Sequence, residues 1–102
     1  MSEHKKIRIE AIVASPPTAK CKEILTILEA AVSAHPDLLT LNIYLAGEAP
    51  DVEPSKGYIA KGKFKRVPSV FVNGELIAET IVPSQSLLDT AIKAALEKGS
   101  LT

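Results

Sequence analysis

The sequence predicts an α/β fold with the element order β-α-β-α-β-β-α, a four-stranded mixed sheet flanked by helices on both faces. Three observations carry that expectation. A β-branched run, Ile7 to Ala14, is cut by prolines and followed at once by an apolar stripe of helical period. A second run, Leu39 to Ala46, places apolar residues at alternate positions, and two strands joined through a helix pair in parallel by a right-handed crossover. Further on, Asn73-Gly74 separates two short β-rich runs, and both residues tolerate the positive φ that a tight hairpin needs.

Each element has its own grounds. Residues 6–14 begin by alternating and then turn continuously apolar, the pattern of a central strand covered on both faces. Pro16 and Pro17 stop it, since each lacks an amide proton and fixes its own φ. Thr18 is placed to cap the helix that follows, its hydroxyl accepting from a free amide of the first turn. Along that helix Ile24, Leu25, Leu28, Ala31 and Val32 fall at three- and four-residue spacings, and Pro36 ends it. Leu39 to Ala46 is expected as a strand with one wetter face. Gly47 to Pro54 reads as a polar loop carrying Glu48, Asp51 and Glu53. A short helix is expected within Ser55 to Phe64. Ser69–Val72 and Glu75–Thr80 form the hairpin. Pro83 and Ser84 open the last helix, whose stripe is Leu87, Leu88, Ala91, Ile92, Ala95 and Leu96, and Gly99 ends it.

The totals narrow the class. At 102 residues the chain is read as one domain, residues 1–102, with a core over 6–98. Apolar residues make up 46%, ordinary for a packed core and too many for disorder over most of the length. Lys plus Arg balance Asp plus Glu at 12 each, which leaves no electrostatic case for nucleic acid or an anionic membrane as partner. The N-terminal residues, Met1 to Lys6, are polar and lack an apolar stretch of signal-peptide type. No segment approaches the roughly 20 apolar residues of a membrane helix. A cytoplasmic, soluble protein is expected.

Residues able to do chemistry gather at the first strand–helix junction. Cys21 is the only cysteine, so an internal disulfide is excluded. It falls in the first helical turn, where free amides, the helix dipole, Lys20 and Lys22 favour a thiolate. The opposing reading is a small, half-buried hydrophobe. Lys61, Lys63, Lys65 and Arg66 form a basic cluster, either a solvated face balanced by the preceding acids or a hold for a carboxylate. Gly57 to Phe64 imitates a phosphate-binding loop, but Phe64 stands where a hydroxyl would hold magnesium and no strand leads in. His4 and His35 show no ligand spacing, and no metal site is expected.

The element order, Cys21 at the first strand–helix junction, and Val67-Pro68-Ser69-Val70-Phe71-Val72-Asn73-Gly74 at the hairpin together resemble the thioredoxin-like superfamily. The likeness runs over residues 6–98 and is nearest to the compact glutaredoxin-like and small-thioredoxin members. It implies that the bond before Pro68 is cis and that Pro68 faces the active-site loop. It implies too that Val67 offers backbone groups to a substrate peptide or to glutathione. The family's Cys-x-x-Cys loop reads here Thr18-Ala19-Lys20-Cys21, so the nucleophile's place holds threonine and only the resolving position keeps its sulfur. A hydroxyl that neither ionises at neutral pH nor forms a disulfide cannot run dithiol exchange. Peroxiredoxins, of the same superfamily, carry Thr-x-x-Cys, a pattern that Thr18 and Cys21 fit. Those enzymes also use an earlier proline, where this chain has Ala14, and a distant arginine.

The resemblance therefore implies a thioredoxin-like protein without its dithiol. In one form it acts as a monothiol redox protein, an oxidoreductase or a thiol peroxidase, or meets a thiol substrate at Cys21. Thr18 would then orient the sulfur, and Val67, Pro68 and Lys20 would bind the substrate. In the other form it is a non-catalytic module that holds a peptide or partner protein in the groove by Pro68. The implied partner is a thiol-bearing protein or glutathione, with no other cofactor.

Overall fold

The computed structural model describes residues 7–16, 18–48, 52–60 and 66–99. Its elements are β1 (Ile7–Val13), α1 (Ala19–Ala34), β2 (Leu39–Leu45), α2 (Lys56–Ala60), β3 (Ser69–Val72), β4 (Glu75–Glu79) and α3 (Gln85–Gly99). The strands make a four-stranded sheet in the order β2-β1-β3-β4. β1 runs parallel to β2 and antiparallel to β3, and β3 is antiparallel to β4, so the sheet is mixed as expected.

Local chemistry sets the boundaries. Thr18 caps α1 in an extended conformation, its hydroxyl accepting from the Cys21 amide. His35 closes the helix at its other end, donating its backbone N–H to Ala31 O and Val32 O. Ser84 opens α3 by accepting from Leu87 N at 3.0 Å. Asn73 and Gly74 turn the hairpin with φ of 49° and 82°, the positive values that the pair was expected to supply. Gly57 is required for a steric reason: a Cβ there would collide with the backbone of Gly74, so α2 seats directly on the hairpin turn.

Alternation in the strands sorts the side chains into two clusters. Ile7, Ile9 and Ala11 of β1 gather with Ile24 and Leu28 of α1, Val70 and Val72 of β3, and Leu88 and Ala95 of α3. Each Ile, Leu or Val of this set taken fully from water contributes about 1.5–3 kcal/mol. The intervening positions take part in a smaller cluster of Tyr44, Tyr58 and Phe71, with Ile12 and Leu76 packed against it. Tyr58 stands 4.7 Å from the Tyr44 ring and 5.1 Å, edge-on, from Phe71.

The structure corrects several finer expectations. β4 stops at Glu79, because Thr80 turns to φ 62° and leaves the ladder. Near its end β2 departs from the alternation: Leu39 is buried and Leu41 packs on the main core, but Ile43 is 38% exposed and Tyr44 is buried, packed with Tyr58. β2 lies at the edge of the sheet, and there Ile43 is left partly uncovered. On α3 the stripe is narrower than the sequence implied, with Leu88 and Ala95 buried but Leu87 and Leu96 each 38% exposed. The short helix covers Lys56–Ala60. The rest of the stretch in which it was expected, 61–64, together with Lys6, Pro17, His4 and Lys65, lies outside the described residues.

Candidate functional site

The first turn of α1 holds Cys21 against the end of β1. The Thr18 hydroxyl serves the turn twice, accepting from Cys21 N at 3.2 Å and donating to Cys21 Sγ at 3.2 Å. Ala14 N, the first amide after β1, also donates to the sulfur, at 3.5 Å. Thr18 and Lys20 are exposed, but Cys21 is 0% exposed. Burial pushes the thiol's pKa up. The Thr18 hydroxyl and the Ala14 amide outweigh that burial and hold it below the ordinary thiol value. This corner is thus a sulfur polarised toward thiolate and closed to solvent at once.

The Val67–Pro68 peptide bond is cis, as the resemblance implied, and so is Ser15–Pro16. Val67 is half-buried and Pro68 buried. The two segments are joined through Thr80: Lys20 Nζ donates to Thr80 O at 2.8 Å, and Thr80 N donates to Pro68 O at 2.7 Å. The hydrogen bonds thus join the loop to the proline segment through Lys20 and Thr80. Of the basic cluster, Arg66 is the described member, and its Nε stands 3.9 Å from Glu79 Oε2 with its side chain 72% exposed. A surface pair of this kind contributes little. Neither Arg66 nor Arg8 is among the hydrogen-bond partners of the Cys21 sulfur.

A second polar site escaped the sequence reading. Glu10, in the middle of the central strand, is 0% exposed. Its Oε2 accepts from the Tyr44 hydroxyl at 2.7 Å and from Ser55 N at 3.0 Å, and its Oε1 accepts from Ser55 Oγ at 2.5 Å. Arg8 Nη2 lies 3.7 Å from the same carboxylate. That guanidinium is held in place by Asn42 Oδ1 at 2.7 Å, the Tyr44 hydroxyl at 3.0 Å and Glu53 O at 2.6 Å. Ser55 Oγ in turn accepts from Tyr58 N, capping α2. Burial and the Glu10 carboxylate push the Tyr44 hydroxyl's pKa up, and the same two causes raise Tyr58. One signal pointed to this cluster: an acid flanked by apolar residues in a central strand must find partners, because a buried charge without them is untenable.

Other chemistry is sparse. Among the described residues no three His, Cys, Asp or Glu side chains come together as a metal cluster, and no helix is long and apolar enough to cross a membrane. A cavity of about 420 Å³ opens between Ala30, Ala31 and Ala34 of α1 and Ile92 and Leu96 of α3, and neither the Thr18–Cys21 loop nor the Val67–Pro68 segment lines it. The sequence matches no protein-family model, and comparison with curated proteins returns no match.

Proposed function

We propose that this chain is a thioredoxin-like protein, with helices on both faces of its sheet, that has given up dithiol exchange. In this reading it holds a peptide or a partner protein in the groove between the Thr18–Cys21 loop and Pro68. One observation carries it: the lone sulfur is 0% exposed and sits beneath the hydroxyl that replaces the family's nucleophile. A thiol acts in exchange only where its thiolate can reach a sulfur in line, so a covered monothiol beside a threonine is a structural element of the loop. The strand order β2-β1-β3-β4 and the junction of loop and proline segment through Thr80 support the scaffold. Val67 would present its backbone to an extended ligand in the manner of an added strand. A cytoplasmic setting suits a chain whose one cysteine has no internal partner.

The test is a titration of isotope-labelled protein with an extended Ser/Ala peptide, read by amide chemical shifts. Shifts are expected at Thr18–Cys21 and Val67–Ser69, unchanged in Cys21→Ser. Shifts spread over the surface, or none, would sink the groove reading.

The second reading, monothiol redox chemistry at Cys21 with glutathione or a thiol-bearing protein, is favoured by a different observation. Two donors hold the sulfur's pKa below its ordinary value. It requires the first turn of α1 to open, and it expects Cys21→Ser to abolish whatever exchange or peroxide activity is found.

A further inference from the structure

We propose that the Lys20 side chain is a strap across this groove, and that its hold on Thr80 keeps the turn carrying Cys21 closed. The inference rests on the groove reading above and adds the device that regulates entry. Lys20 immediately precedes Cys21 and its ammonium reaches Thr80 O at 2.8 Å, a sequence separation of 60 residues. Thr80 N then donates to Pro68 O at 2.7 Å. Two short bonds thus run from the first turn of α1, over the end of β4, to the proline segment.

The middle link is conformationally unusual. Thr80 is β-branched yet sits at φ 62°, a region such residues rarely enter. Its hydroxyl turns back to Glu79 O at 2.6 Å. In that conformation one residue serves both sides, with its carbonyl on Lys20 and its amide on Pro68. Backbone held so far from its preference persists where the surroundings fix it, and such positions cluster at clamps and switches. Among the described residues no hydrogen bond joins the Lys22 side chain to Thr80 or Pro68, although Lys22 is also exposed and also adjoins Cys21 in sequence. Lys22 is therefore the natural control. A ligand bearing a carboxylate or a free backbone carbonyl would compete for the Lys20 ammonium and open the strap as it bound.

The experiment measures iodoacetamide labelling of Cys21 at pH 8 in the folded wild type, Lys20→Met and Lys22→Met. Each melting temperature is recorded, and an unfolded sample sets the upper rate. Methionine keeps the apolar stem and removes the ammonium. An exposed charge-assisted contact of this kind is expected to shift local opening enough to make Lys20→Met label about two- to fivefold faster than wild type. An unchanged melting temperature marks that acceleration as local. The sign is diagnostic, because loss of a cation beside a thiol disfavours the thiolate and by itself slows labelling. Lys22→Met reports that slowing alone. If wild type is protected and Lys20→Met labels no faster than Lys22→Met, the strap is overturned and the groove reading stands. If wild type labels as fast as the unfolded chain, both are overturned.

Discussion

The Cys21 corner and the Glu10 cluster each bury a polar side chain completely, but they recruit its partners from different distances. Cys21 takes Thr18, three residues back, and Ala14, seven back. Glu10 takes Tyr44, 34 residues on, and Ser55, 45 residues on. The first is a local motif that any strand-to-helix turn of this spacing can make. The second exists only once β1, β2 and the loop before α2 have come together. The energetic stakes differ too. A thiol is a weak hydrogen-bonding group that tolerates an apolar setting. A carboxylate in the same setting needs every one of its donors. The candidate site is therefore built on the tolerant group, and the fold's integrity rests on the demanding one.

Substitution at Glu10 is the most disruptive. Glu10→Ala leaves the Tyr44 hydroxyl and the Ser55 amide without their acceptor and opens a gap beneath α2. The expected loss is about 2–4 kcal/mol in a urea titration, with early hydrogen exchange at Ser55 and Tyr58. A loss below half a kcal/mol would mean that the cluster contributes nothing net.

Tyr44→Phe is the next step down. It removes one donor to a carboxylate and is expected to cost about 1–2 kcal/mol at neutral pH. It also has a pH signature. Because burial and Glu10 raise the Tyr44 pKa in the fold, the protonated hydroxyl is favoured there. The stability this contributes is complete below the unfolded value of about 10 and drains away as pH climbs past it toward the folded value. Wild type is expected to lose stability on the alkaline side, and Tyr44→Phe to lose less of it. Parallel alkaline profiles would remove Tyr44 from the account.

At the Cys21 corner the expected effect is smaller. Thr18→Ala deletes a helix cap and the donor to the sulfur, at a cost of about 1 kcal/mol, and Thr18→Ser should restore most of it. The change should also let the Cys21 pKa rise, since the Thr18 hydroxyl is the foremost of the groups that lower it. A Thr18→Ala protein as stable as wild type would show that the cap does not hold the turn.

How much was legible in the sequence follows the same division. The Thr18 cap, the Cys21 position in the first turn and the Asn73-Gly74 hairpin are local patterns, and each stands where the spacing put it. The parallel pairing of β1 with β2 followed from the helical crossover that joins them. Thr80 defeated the reading because β-branched residues favour strands, and only its bonds to Lys20 and Pro68 show why it leaves one. Tyr44 looked like a solvent-side residue because its cover, Tyr58, comes from a helix of five residues too short to announce itself by periodicity. Glu10 was seen as part of a strand, but nothing local names Ser55 as its partner.

Whether Cys21 is a covered sulfur is read from its labelling rate in the folded protein as a function of pH. Labelling of the folded protein is expected to be slow at every pH and to reach the free-thiol rate only on unfolding. Fast labelling of the folded protein with a midpoint below the ordinary thiol value would contradict it and make Cys21 a reactive thiolate.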